Sequence, residues 1–436
     1  MPERPKPAST IPHADASLER EVVSRVAWRL LPFLLLLYVV AYLDRINVGF
    51  AALQMRQQLH FSDAVYGLGA GIFFAGYLVF QVPSNLLMQS FGARKTVATI
   101  MLLWGVVSCS MIFVATPRGF YTLRFLLGVA EAGFFPGMIL YLKEWFPAAA
   151  RARAIALFMT AGPISGIIGG PISGYLLGLQ GRQGLAGWQW MFLLEGLPAL
   201  ALAAVVLFFL TDHPADAAWL SPTHRGWLLG ELSREIQIPA AVIGTNFGAA
   251  FTNTRVWLLA FIYFGLNTCN YGISLWLPTV IRKASGVSNL TLGFMSAIPY
   301  LSAGILMILA GVHSDKTSER KWHVAVPAFA AAVALCFSAY TTSAILLLAA
   351  LSVAFAGANS MTGPFWAIST GLFSGTAAAA GIALINSVGN LGGFFGPLII
   401  GLVRNYSGDF KGGLLAVGAI LGMGGAASLL LPSVKK

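Results

Sequence analysis

The sequence predicts an all-α, polytopic membrane protein, with twelve transmembrane helices in two pseudo-symmetric six-helix bundles. Three observations predict it. Of the 436 residues, 57% are hydrophobic and only 10% charged, where soluble domains run near a quarter charged. The mean hydropathy is +0.76, which excludes a soluble multidomain enzyme. Twelve apolar segments can each cross a hydrocarbon core of about 30 Å, a task that takes about 20 helical residues. Finally, the two halves of the chain resemble each other at a common offset.

Residues 1–27 are polar and have no apolar core ahead of a cleavage site, so they read as a cytoplasmic tail and the first helix is expected to be retained. The N-terminal bundle, 28–211, holds apolar segments at 28–50, 64–89, 96–115, 119–142, 152–178 and 188–211. Residues 212–253 carry Pro, mixed charge and the amphipathic run WLLGELSREI, and read as a cytoplasmic linker. The C-terminal bundle, 254–432, holds segments at 254–281, 290–312, 323–341, 344–370, 376–403 and 411–432, leaving 433–436 as a cytoplasmic C-terminus. The halves align at an offset of 226 or 227. NLLMQSFGARK at 85–95 meets GVHSDKTSERK at 311–321, IAL at 155–157 meets 382–384, and Gly170-Pro171 meets Gly396-Pro397. A shared offset fits parallel duplication of a six-helix unit. With the termini inside, 18 Lys and Arg fall on the cytoplasmic side and 7 on the other, Arg45 and Arg124 being the remaining two. That bias predicts cytoplasmic termini in an inner (plasma) membrane.

The net charge of +11 is accounted for by those loops and gives no reason to expect nucleic acid. Cys109, Cys269 and Cys336 all lie in apolar runs and read as small core hydrophobes. The six histidines fall in tails, loops or helix ends, which argues against a histidine proton relay. No phosphate-binding loop, metal-ligand spacing or nucleophile elbow appears, so neither an enzyme nor a cofactor or metal is expected.

The DRINVGFA end of the first segment, LRFLLGVAEAGFFP in the fourth and EWFPAAARARAIA after it narrow the reading, as do the loops after segments 2 and 8. Together they resemble the anion:cation symporter family of the major facilitator superfamily. The resemblance implies alternating-access import of a small organic carboxylate with protons, the substrate being a hydroxy acid or a sugar acid such as tartrate or an aldonate. Organic-anion exchange or facilitation, and aromatic-acid/proton symport, are the alternatives. It further implies the proton as coupling ion, the lipid bilayer as surroundings and a functional monomer. In the superfamily the two loops latch cytoplasmic helix ends. Here the first copy retains Gly92, Arg94 and Lys95 but has Asn85, Gln89 and Ser90 where the motif has Gly, Asp and Arg. The second keeps Gly311, Asp315 and Lys316, so the second latch is expected to dominate.

Charged side chains inside a span cost roughly 2.5–3.5 kcal/mol each even on insertion scales, and mark sites where they are paired or functional. Arg124, Gly128 and Glu131 share a helix face at i, i+4 and i+7. A structural Arg–Glu pair is one reading. The other is a proton site and its regulator, since burial favours the neutral acid and a nearby Arg favours the anion. Glu131 is the first choice for the coupling proton. Tyr38, Tyr42, Arg45 and Gly49 form a stripe, with Asp44 about 100° away and able to meet Arg124. Arg45 is assigned to the substrate carboxylate, which a guanidinium clamps bidentately, and Asp44 is the second proton-responsive acid. The family's substrate arginine and acidic pair fall on these positions.

Polar stripes offer further pocket candidates: Tyr77 and Gln81; Tyr263, Asn267 and Asn270; Trp366; Asn386 and Asn390. Each can instead be an interhelical hydrogen bond. Gly162, Gly166, Gly170 and Gly174 recur every fourth residue in the fifth segment and suit close packing and rocking. Glu195 is expected near the outer interface in a structural role. Shifted by 226, Arg124 and Glu131 fall on Ala350 and Gly357, and Asp44 on Asn270. The charges are thus confined to the first half.

Overall fold

The computed structural model describes residues 13–236, 251–372 and 376–432. The first 12 residues of the expected tail, 237–250 of the linker and the C-terminus 433–436 lie outside them. Among the described residues, twelve helical stretches are long and apolar enough to cross a membrane. In chain order, spans 1–6 are Ser17–Gln58, Asp63–Met88, Ala93–Phe113, Pro117–Trp145, Ala148–Leu177 and Gly187–Phe209. Spans 7–12 are Thr254–Ser285, Asn289–Thr317, Lys321–Tyr340, Ala344–Thr370, Gly381–Ser407 and Lys411–Leu429. Side chains such as Phe113, Phe208 and Ile345 stand exposed on the outside of the bundle, where acyl chains would lie. Cys336 is exposed as well, whereas Cys269 is buried.

The first span departs from the sequence expectation. Its helix begins at His13, inside the supposed tail, because Val22, Val26 and Leu30 at four-residue spacing form a buried stripe. Four spans are interrupted. Span 1 breaks at Asn47, span 4 between Glu131 and Phe134, span 5 at Thr160 and span 10 at Met361. Pro136, Pro163 and Pro364 account for the last three, since each removes a donor and crowds the carbonyl four residues earlier. Such breaks in lipid are tolerated where the freed backbone is buried in protein or lines a cavity.

Spans 3 and 6 pack on each other at the edge of the first half, as do 9 and 12 in the second. The halves meet through span 2 against 11, span 5 against 8, and the end of span 1 against 7. With an even number of spans the termini share one side, and the close contacts between halves lie toward the other, here called the far side. There Gly170 and Gly174 abut Gly293 and Asn289, while Gly67 and Gly71 abut Pro397 and Phe394. A Cβ on Gly170 would overlap the Gly293 carbonyl. An ion cluster closes the same end: Asp63 bonds Arg56 of its own half and Arg404 of the other, the latter at 3.1 Å. The Arg404 guanidinium lies 4.1 Å over Phe410, and both arginines flank Trp276.

On the termini side the charge pairs stay within their own halves. The backbone N–H of Arg94 donates to Asp212 at 2.7 Å, beside Gly92 whose φ of +81° turns span 2 directly into span 3. Asp315 pairs with Arg320 at 2.7 Å. Lys316 is exposed, and a Cβ on Gly311 would meet open space. These loops therefore do not join the halves here. The linker helix Pro222–Ile236 docks through Glu235, which accepts from the Ala148 N–H at 2.5 Å and pairs with Arg151 at 2.6 Å.

Two outcomes follow from these contacts. Gly170→Val is expected to wedge spans 5 and 8 apart at a cost of about 1–3 kcal/mol, changing the closed-to-open ratio at the far side by roughly five- to 150-fold. A Ser296→Cys reporter in a background without native thiols should then react faster with a polar thiol reagent. An unchanged rate would show that this contact does not control closure. For Glu235, burial alone would raise the carboxyl, but the Ala148 N–H and Arg151 hold it below its ordinary value. Docking of the linker helix is therefore fully present above the free acid's value of about 4.3 and is lost as pH falls through the lowered one. Proteolysis of residues 222–236 should accelerate only in that acid range, and Glu235→Gln should abolish the step.

Candidate functional site

Asp44 and Arg45 occupy the last turn before the break in span 1, and Glu131 ends the first helix of span 4. Both breaks therefore fall beside charges. Asp44, Arg45, Arg124 and Glu131 are all buried. Gly128, between the two span 4 charges, touches span 2: a Cβ there would overlap the Phe73 carbonyl. Its glycine thus serves a partner helix, and it brings Arg124 and Glu131 alongside Phe73 and Tyr77.

Arg45 and Glu131 form the centre of the site. Arg45 donates from Nη2 at 2.9 Å and from Nε at 3.3 Å to the same carboxylate oxygen, Oε2. Its Nη1 donates to the Tyr271 hydroxyl of span 7 at 3.4 Å. The rings of Phe73, Tyr77 and Tyr42 stand 5.1, 5.2 and 5.8 Å from the guanidinium, within cation–π reach. Glu131 Oε1 has no hydrogen-bond partner among the described residues. The salt bridge thus uses one carboxylate oxygen and leaves the other free.

Two expected pairings are corrected. Glu131 is bridged by Arg45 and not by Arg124, which lies seven residues back, about 10 Å along the helix axis. Asp44 does not meet Arg124 either. The 100° step from Arg45 turns it toward span 3, where Ser108 Oγ donates at 2.6 Å and Trp104 Nε1 also donates; Asn47 Nδ2 adds a third bond at 3.1 Å. Among the described residues, Arg124 reaches only the Gly69 carbonyl, at 3.4 Å, and the face of Phe73 at 5.1 Å. Its Nη1 and Nη2 are buried without partners among the described residues. The sequence signal for this shell is the i, i+4 pair Trp104 and Ser108.

Across the interface, the second-half candidates divide. Asn267 donates from Nδ2 to the Gly389 carbonyl at 3.1 Å and fastens span 7 to span 11. Tyr263 stacks on Phe365 at 5.2 Å and meets Trp366 edge-on at 5.1 Å. Asn270 accepts from Asn359 at 2.8 Å. Gln81, Asn386 and Asn390 are half-buried and make no hydrogen bond among the described residues. Tyr42 lies against Gly162, and Gly166 against the Tyr300 ring. Glu195 is only 5% exposed, inside the first half, and accepts from Ser173 at 2.7 Å.

A sequence profile described as the Major Facilitator Superfamily matches residues 34–397. A protein of Agrobacterium vitis named "Putative tartrate transporter" is 49% identical over 95% of this chain and 92% of its own. A protein of Acinetobacter baumannii named "Quinolone resistance transporter" is 42% identical over 92% of this chain and 93% of its own. Among solved structures, a bacterial homologue of the human lysosomal transporter Spinster, inward-facing and unoccupied, superposes with a TM-score of 0.77 at 18% identity, covering 94% of this chain and 96% of its own.

The Asp44 shell gives a direct test. Ser108→Ala and Trp104→Phe each remove a donor to a buried carboxylate, which costs about 1–3 kcal/mol. Each should lower the thermal unfolding temperature of the purified protein. Melting curves that coincide with the parent would show that Asp44 does not depend on span 3.

Proposed function

The chain belongs to the major facilitator superfamily, a family of transporters and not of enzymes, and on that premise we propose that it imports a small organic carboxylate together with protons. The substrate class proposed is a hydroxy acid or sugar acid, tartrate first. The membrane proposed is the inner membrane, with the termini-side loops cytoplasmic as their Lys and Arg excess suggests.

The observation that carries the reading is the Arg45–Glu131 pair. At rest the two charges cancel. A substrate carboxylate can take Arg45 only by displacing Glu131, which leaves an unpaired buried anion. A proton on Glu131 without substrate leaves an unpaired buried cation. Either state costs several kcal/mol. Proton and anion together restore neutrality: Glu131 becomes the neutral acid and the substrate becomes the counterion of Arg45. Coupling arises because the singly loaded states are penalised, by roughly a hundredfold for each 2.8 kcal/mol.

The remaining groups have supporting roles in this scheme. Tyr271 holds Nη1 of Arg45, leaving Nε and Nη2 to form the two-point clamp on a carboxylate. Tyr42 and Tyr77 line the N-half side, while Trp366, Asn270, Asn386 and Asn390 offer uncharged contacts to hydroxyls from the other half. Arg124, buried with two nitrogens that have no partner among the described residues, favours return of Glu131 to the anion once substrate has left. Each proton-charge carried inward is worth about 2.3 kcal/mol per 100 mV.

In proteoliposomes, an imposed proton gradient should drive uphill uptake of tartrate. A panel of sugar acids, aromatic acids and a quinolone sets the range, and a response to the quinolone alone would overturn the reading. Glu131→Gln should abolish gradient-driven accumulation but leave anion counterflow measurable. Arg45→Ala should weaken substrate binding by about 3 kcal/mol, on the order of a hundredfold. Full accumulation by Glu131→Gln, or unchanged affinity in Arg45→Ala, would refute the scheme.

A further inference from the structure

A cavity of about 680 Å³ opens between spans 1 and 5, and the scheme above gives it no part. Both spans run inward from the termini side, and the lining residues come from their first halves. Span 1 contributes Arg20, Ala27, Leu31 and Leu35, and span 5 contributes Arg153 and Leu157. No residue of the second half lines it among the described residues. The span 1 helix runs unbroken from His13 to Ile46. From Ala27 its lining residues recur every fourth position, and steps of three and four continue through Tyr38 and Tyr42 to Arg45. At 3.6 residues per turn, the cavity therefore follows the same face of span 1 that carries Arg45. It lies on the approach to the site from the side where no charge pair joins the halves.

The cations on this wall are unpaired. In the run RAR at 151–153, Arg151 pairs with Glu235 at 2.6 Å and docks the linker helix. Arg153 is about 200° further round the helix and turns to the cavity instead. On span 1, Glu21 meets His224 of the linker helix at 3.4 Å, while Arg20 before it faces the cavity. Neither Arg20 nor Arg153 has a hydrogen bond or ion pair among the described residues. Glu19 is the single acid on the lining, so cations outnumber it two to one. Charges of one sign on low-dielectric walls focus their field and raise the local concentration and association rate of counterions by about 10- to 1,000-fold. The guanidinium fork matches a carboxylate in particular. Arg153 is also separate from the central pair. Gly162, which abuts Tyr42, is nine residues further inward, about 13 Å along the axis. Tyr38 stacks on Phe158 at 4.7 Å and meets Phe135 at 5.5 Å, which puts aromatic rings between Leu35 and Arg45.

We propose that this cavity is a second anion site, in which Arg153, with Arg20 nearer the mouth, holds the carboxylate of the transported organic anion between Arg45 and the termini side. The site rests on the organic-anion reading for its cargo and needs no proton.

Reaction rates at a cysteine beside Arg153 test this without transport, so a failure of uphill uptake leaves the result readable. Leu157 is exposed and one turn inward of Arg153. Leu157→Cys is introduced into the full-length protein without its native thiols, in lipid nanodiscs. An anionic methanethiosulfonate should react faster than a cationic one of like size. Arg153→Gln should lower the anionic-to-cationic rate ratio by about tenfold, and Arg153→Lys should keep it. Tartrate or a sugar acid should slow the anionic reagent, and should still do so in Arg45→Ala, where the central site is removed. A ratio unmoved by Arg153→Gln overturns the proposal, as does protection that Arg45→Ala abolishes. A ratio that falls as expected without protection by any carboxylate would sink the organic-anion reading, and the cargo assigned to this cavity with it. A cysteine that reacts with neither reagent in lipid but with both in detergent would assign the cavity to a lipid and overturn the proposal.

Discussion

Arg45 is a buried positive charge, and every arrangement of this molecule has to supply it with a counterion. In a low-dielectric interior an unpaired charge costs several kcal/mol, a large share of the net stability of a folded domain. Much of the surrounding architecture can be read as a consequence. Span 4 packs on span 2 through Gly128 so that Glu131 comes within 2.9 Å of the guanidinium. The rings of Phe73, Tyr77 and Tyr42 offer their faces to the same cation and keep it dry. A dry site makes the counterion's identity matter, and an exchange of counterions is what a transporter of organic anions requires.

The helix interruptions serve this arrangement. Continuous helices would satisfy the backbone and leave little freedom near the charges. Here span 1 breaks two residues after Arg45 and span 4 breaks directly after Glu131, where Pro136 withdraws a donor. The pair thus sits at the junction of rigid segments. Span 5 and span 10 break at Thr160 and Met361 by the same proline chemistry. Proline positions in the sequence, the local loss of helix and the placement of the charges form one chain of cause.

The twelve spans and the two-bundle fold were legible because lipid enforces length and apolarity along each segment. The four intramembrane charges were legible for the complementary reason, that a charge in such a segment is costly enough to stand out. Which charge meets which was not. A helical wheel places Asp44 about 100° from Arg45 but does not say that span 3, with Trp104 and Ser108, occupies that direction. Spacing marks Asn267 as a pocket candidate but does not say that it donates to the Gly389 carbonyl of span 11. The Asp63 cluster with Arg56 and Arg404 escaped notice because loop charges carry topology information in sequence and pairing information only in space.

Arg45 and Tyr271 are separated by 226 residues, the same interval that relates the two halves, and they touch. Residues equivalent under an approximate twofold can touch only close to the axis itself. A lever moves least at its fulcrum. If the halves tilt about that axis, the guanidinium and the phenol keep their neighbourhood while the gates at either end sweep through large arcs. One copy of the pivot position thus carries a guanidinium and the other the hydroxyl that accepts from it.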